Sequence, residues 1–125
     1  MIIGIGSDIV EHKTNTLLLE WDVEGKLPNR ILSDAELVTY TQTKKHTFLA
    51  GRFAAKEAIL KALGTGMQDG ISLKNIDIRS SDKGQPVIEL TGAVKELAAE
   101  RGINKWHLTI THSESYSIAF AIAET

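Results

Sequence analysis

The sequence predicts a single α+β domain in which one long central helix packs against a mainly antiparallel sheet. Three observations carry that prediction. Residues 48–66, FLAGRFAAKEAILKALGTG, put apolar side chains on nearly every side of a helical projection, the pattern of a central helix. Residues 106–112 and 116–123 alternate with period two on either side of Ser113-Glu114-Ser115, and residues 71–79 and 86–90 flank an Asp82–Gly84 turn, so each pair reads as a hairpin. Hairpins combined with helices place the chain in the α+β class. At 125 residues there is room for one core, so 1–125 is taken as one domain.

Composition narrows the function. The formal net charge of −2, with no long basic run, gives no support to broad nucleic-acid or anionic-membrane binding, so any anion site must be local. The absence of cysteine excludes disulfides, thiolate metal sites and a cysteine nucleophile. The N-terminal MIIGIGSDIVE has no basic lead and is broken by glycines and an acid, so it reads as neither a signal peptide nor a membrane span, and a cytoplasmic protein is expected.

Taken in order, residues 2–10 form a strand with Ile3, Ile5, Ser7 and Ile9 on one face and Gly4, Gly6, Asp8 and Val10 on the other. Two glycines weaken a strand unless something approaches closely. Asp8 therefore sits on a flat face open to a helix or ligand, or else is a solvated strand-end acid. Residues 11–20 have helical character in their second half, at Leu17, Leu18 and Leu19. Gly25 and Pro28 mark a loop, and Ser33 with Glu36 fits a capping box opening a helix through about Tyr40, with Ile31, Leu32, Leu37 and Tyr40 as core contacts. Lys44, Lys45 and His46 read as a solvated basic cluster.

In the central helix, Glu57 and Lys61 share a stripe beside Ala50 and Ala54. Their i, i+4 spacing suits a simple ion pair worth about 0.2–0.5 kcal/mol. Charges on an apolar helix are nevertheless costly unless paired or bound to metal, which makes the stripe a candidate site. Gly64-Thr65-Gly66 reads as a left-handed cap whose N–H groups either close the helix or cradle an anion. The strand over 71–79 slips near Lys74-Asn75, and a further helix runs from Ala93 to Arg101, ending at Gly102. In the last hairpin, Ala119, Ala121 and Ala123 form a small-residue face suited to a helix, and His112 at its strand end is either a structural hydrogen-bonder or a ligand contact.

The runs GIGSDIVE at 4–11, RIL at 30–32, FLAGRFAAKEAILKALGTG at 48–66, GQP at 84–86 and HLTITHS at 107–113 together resemble the holo-acyl-carrier-protein synthase family of 4'-phosphopantetheinyl transferases. The resemblance covers almost the whole chain, and its central run is highly specific. It implies a compact homotrimer with active sites between neighbouring protomers. It also implies Mg2+-dependent transfer of the phosphopantetheine arm of coenzyme A to a serine of an apo acyl carrier protein, releasing adenosine 3',5'-bisphosphate, as fatty acid and lipid biosynthesis require.

Carried over by that resemblance, Asp8 and Glu57 would hold the metal and Lys61 would face the pyrophosphate, these three being the catalytic residues. Arg52 and His112 would hold the 3'-phosphate, Pro86 would contact adenine, and Gly64, Thr65 and Gly66 would lie along the phosphates or the arm. With both carboxylates spent as ligands, a water on the metal is the preferred base. Two departures stand out. His12 and Thr14 occupy positions where the family often carries an apolar residue and an arginine, and GQP replaces the commoner GKP. The first opens an alternative, a coenzyme A- or carrier-binding paralogue with a changed or lost acceptor.

Overall fold

The computed structural model describes residues 1–13, 26–43, 45–66 and 70–125. Thr14, the helical stretch expected around Leu17–Leu19, Gly25 and Lys44 lie outside the described residues. Five strands form two sheets. Strands β1 (Ile2–Glu11), β4 (Lys105–His112) and β5 (Tyr116–Glu124) make an antiparallel sheet in the order β1-β5-β4, and β2 (Ile76–Ser80) and β3 (Pro86–Leu90) form a separate hairpin. Among the described residues four helices accompany them: α1 (Lys26–Ile31), α2 (Asp34–Thr43), α3 (His46–Leu63) and α4 (Gly92–Glu100). Among the described residues no helix is long and apolar enough to cross a membrane.

The seam between α3 and the three-stranded sheet organises the core. Gly4, Gly6 and Asp8 of β1 pair with Ala123, Ala121 and Ala119 of β5, which pair in turn with Trp106, Leu108 and Ile110 of β4. Three buried alanines and two glycines therefore floor the helix. A Cβ on Gly4 would collide with the Ala62 carbonyl oxygen, and one on Gly6 with that of Ala58. The glycines expected to admit a close neighbour thus admit the backbone of α3. The opposite face of the sheet is apolar and open: Ile5, Ile9, Ile118 and Phe120 are 60%, 59%, 40% and 42% exposed.

Helix α3 begins two residues before the expected Phe48 and ends in a Schellman motif. Gly64 adopts φ 83°, its N–H donates to the Lys61 carbonyl (3.0 Å), and the Thr65 N–H donates to the Leu60 carbonyl (3.0 Å). Those two N–H groups are therefore committed to the helix end, and the anion cradle expected of Gly64-Thr65-Gly66 does not fall to them.

Further expectations are refined in the same way. The capping box is reciprocal, with the Ser33 N–H donating to Glu36 Oε1 (2.7 Å) and the Glu36 N–H to Ser33 Oγ (3.2 Å), but α2 runs on to Thr43. Ile31, Leu32 and Tyr40 are buried as expected, and Leu37 packs partly buried against them. The slip at Lys74-Asn75 is a 3-10 turn over Leu73–Asn75 capped by Ser72, so β2 starts only at Ile76. Helix α4 closes at Gly102, which takes φ 72°.

Candidate active site

The stripe singled out on α3 meets β1. Lys61 Nζ lies 3.2 Å from Asp8 Oδ1 and donates to the Ser7 carbonyl at 3.0 Å. Strand parity puts Asp8 on the helix side of the sheet, and Gly6, two residues before it, lets Lys61 and its helix come down onto the strand. Glu57 completes the group. Its carboxyl is held above the usual range, first by partial burial and then by the charge of Asp8, with Lys61 pulling the other way.

Burial is not what makes this stripe unusual. The Lys61 side chain is 55% exposed and Glu57 only partly buried, whereas the fully buried cation of α3 is Lys56. Its Nζ donates to the Ile31 and Leu73 carbonyls at 2.7 and 3.1 Å and pairs with Glu36 Oε1 at 2.5 Å. Glu36 Oε2 accepts the Ile78 N–H at 2.9 Å. The capping glutamate is thus also the hub tying α2, α3 and β2 together. Sequence reasoning passed over Lys56, although a lysine set among Ala54, Ala55 and Ala58 was the signal.

Asp8 and Glu57 bring two carboxylates together, and among the described residues no cluster of three or more metal-ligating side chains occurs. Two carboxylates suit Mg2+, which commonly takes one or two and completes its octahedron with phosphate oxygens and water. The mutual repulsion that raises Glu57 is what a cation would relieve. Glu57 also opens onto an apolar cavity of about 580 Å3 with Leu27, Phe53, Ile71 and Leu73 on its wall.

Arg52, Pro86 and His112 come together from three elements to line a different cavity of about 610 Å3, with Lys83, Gln85 and His107. The Arg52 guanidinium lies 4.6 Å from the centre of the Phe48 ring, itself stacked on Tyr40, and its Nε is buried without a hydrogen-bond partner, 3.9 Å from Glu36. Burial pushes Arg52 below its ordinary range, with Glu36 and Asp77 opposing. His112 is tied structurally through its Nδ1, which lies 2.8 Å from the Ser117 hydroxyl, so the hydrogen-bonding reading of that histidine holds.

Asp8, Glu57 and Lys61 do not line that cavity. Asp8 belongs to one edge strand of the sheet and His112 to the other, with β5 between them, a separation of about 10 Å across the strands. Helix α3 packs across β1 and β5, bringing Lys61 to Asp8 of β1 and Arg52 to the cavity walled by β4.

Comparison with known proteins places the chain in a family. Residues 4–121 match the family model of the 4'-phosphopantetheinyl transferase superfamily. The chain is 44% identical over 126 residues to the holo-[acyl-carrier-protein] synthase of Hydrogenovibrio crunogenus, covering 100% of this chain and 98% of the relative. It is 41% identical over 127 residues to that of Halothermothrix orenii, covering 99% and 98%. Among solved structures, the Neisseria meningitidis holo-[acyl-carrier-protein] synthase superposes with a TM-score of 0.88 at 37% identity over all of both chains. The Helicobacter pylori enzyme in complex with coenzyme A gives 0.80 at 31% identity, over 96% of this chain and 99% of that one. Full-length identity of this order, together with a shared fold, shows that the chain belongs to the holo-[acyl-carrier-protein] synthase family of phosphopantetheinyl transferases.

Proposed function

We propose that this enzyme transfers the 4'-phosphopantetheine arm of coenzyme A to a serine hydroxyl of an apo acyl carrier protein, releasing adenosine 3',5'-bisphosphate. Asp8 and Glu57 hold Mg2+, which supplies positive charge to the pyrophosphate during transfer. Lys61, tethered to Asp8 and the Ser7 carbonyl, keeps its ammonium beside the leaving phosphate and neutralises charge developing there. Arg52 and His112 bind the 3'-phosphate, and Pro86 packs against the adenine. Arg52 suits that role because its Nε is buried without a partner and its guanidinium is already held by Phe48.

The observation that carries this reading is the placement of the two residue groups on opposite edges of one sheet whose outer face is apolar and exposed. Packing such faces together in a homotrimer buries Ile5, Ile9, Ile118 and Phe120. It also lets the metal group of one protomer face the nucleotide group of its neighbour, so that one coenzyme A spans both. The test is to incubate the protein with coenzyme A, Mg2+ and an apo carrier protein and to weigh the carrier. A gain of one phosphopantetheine is expected, lost in Asp8→Ala with the fold retained. Carriers that stay unmodified while coenzyme A still binds would favour a carrier-binding paralogue instead.

A further inference from the structure

Near one end of the inner sheet face, three polar side chains from β5, β4 and the residue following β1 stand in a row. Ser117 is fully buried, and its Oγ lies 3.0 Å from His12 Nδ1 and 2.8 Å from His112 Nδ1. His12 is itself buried, and its Nε2 lies 3.1 Å from the Glu114 carbonyl oxygen. The two imidazole rings are 6.5 Å apart at 61°.

The Glu114 contact sets the order of the protons. A carbonyl oxygen only accepts, so His12 Nε2 carries hydrogen, and in the neutral ring His12 Nδ1 is then an acceptor. The Ser117 hydroxyl donates to it, which leaves only lone pairs for His112, whose Nδ1 must therefore be the N–H donor. With both rings neutral, His112 Nε2 is a bare lone pair. That edge of the ring passes over Gly51, where a Cβ would come within 2.7 Å of Cε1 and 3.3 Å of Nε2, on the wall of the cavity shared with Arg52.

A lone pair aimed at an anion repels it. One proton added to Nε2 makes that nitrogen a donor. The positive charge then stays on His112, or the His112 Nδ1 proton passes to Ser117 while the Ser117 proton passes to His12 Nδ1. In either form Nε2 becomes a donor on a ring that lines the cavity.

We propose that His12, Ser117 and His112 form a relay that couples binding of a phosphomonoester in the Arg52–His112 cavity to uptake of one proton, with His12 as a positioning residue. The proposal rests on the reading of that cavity as the nucleotide phosphate subsite. The groups facing His112 are Arg52 from α3, with Glu36 behind it, His12 after β1, Lys83 from the β2–β3 turn and His107 from β4; no acid lines the cavity among the described residues. The nearby acid Glu114 has its carboxylate on Lys13 at 2.7 Å. Burial, then His12 and Arg52, push His112 below its ordinary value, so that ring is neutral near pH 7 before an anion enters.

The experiment is isothermal titration of the intact protein with coenzyme A and with 3'-dephospho-coenzyme A from about pH 6.5 to 8.5, in buffers of different ionisation heat. Between the lowered pKa of His112 in the free protein and its higher value in the complex, the preference for coenzyme A is expected to fall about tenfold per pH unit, with about one proton taken up for coenzyme A and none for the dephospho compound. His12→Leu lets Ser117 donate to His112 Nδ1 and make a neutral Nε2–H, so the pH slope flattens while binding persists; Ser117→Ala, which removes the bridge, is expected to flatten it as well. Nitrogen-15 spectra of the free wild-type protein are expected to show His112 as the Nδ1–H tautomer. An Nε2–H tautomer there, equal proton uptake for the two nucleotides, or an unchanged slope in the folded variants would each overturn the relay. Failure of both nucleotides to bind would overturn the functional reading itself, and the relay with it.

Discussion

Replacing Gly6 with alanine tests whether the β1–α3 seam sets the active-site geometry. The new Cβ would stand 2.7 Å from the Ala62 nitrogen and 2.9 Å from Lys61 Cβ, with the Ala58 carbonyl oxygen closer still. Ordinary contact begins at 3.4 Å and the Ala58 oxygen would stand at 2.0 Å, so along that contact strand and helix must part by 3.4 − 2.0 = 1.4 Å. Two of the three obstructing atoms belong to the backbone of a capped helix and cannot swing away. Overpacking of this kind costs about 1–3 kcal/mol, while the reduced freedom of the unfolded chain returns about 0.4–1 kcal/mol. A net loss of roughly 1–2 kcal/mol is expected in denaturant midpoints. Transfer should suffer more, because Asp8 lies on the displaced strand and Glu57 and Lys61 on the helix, and a misplacement near 1 Å costs about 100-fold. The rate is read as holo carrier formed per unit time at saturating coenzyme A. Gly6→Ala with unchanged stability and a rate within about threefold of wild type would refute the seam argument.

Glu57→Gln should raise the melting temperature of the metal-free protein at neutral pH. The folded-state pKa of Glu57 lies above its unfolded value through burial and Asp8, so its charged form is disfavoured in the fold. The wild type therefore loses stability relative to the variant as pH rises through that interval, and the two converge below it. Added Mg2+ should raise the melting temperature of the wild type only; a lower melting temperature for the variant at neutral pH would contradict the assignment. Lys56→Met, which strands the Glu36 carboxylate in the interior, should cost about 3–5 kcal/mol by denaturant titration. Phe120→Glu on the exposed outer face should leave protomer stability within about 0.5 kcal/mol while light scattering shows monomers and transfer is lost; a stable, active trimer would refute the proposed interface.

The local features of the chain were legible without coordinates. Period-two alternation placed Gly4, Gly6 and Asp8 on one face of β1 and the alanines on one face of β5, and the Ser33–Glu36 spacing announced its cap. The grouping of Asp8, Glu57 and Lys61 was implied by the family resemblance, and Asp8 and Lys61 do meet at 3.2 Å; the faces these residues occupy were read from spacing. These are properties of neighbours along the chain, where strand parity and helical pitch decide which way a side chain faces.

What required the fold was every choice of distant partner. Glu36 reaches Lys56 and the Ile78 amide only because α2, α3 and β2 converge, and no spacing within α2 encodes that. For the Gly64 and Thr65 amides the sequence left a helix cap and an anion cradle open, and the end of α3 claims them. Ser117 reads as one more small inward residue of β5; only the register of β1, β5 and β4 sets it between His12 and His112. The strand order likewise sets Asp8 and His112 on opposite edge strands with β5 between them. Periodicity along the chain determines the face a residue presents, whereas packing and register between elements separated by tens of residues determine what that face meets.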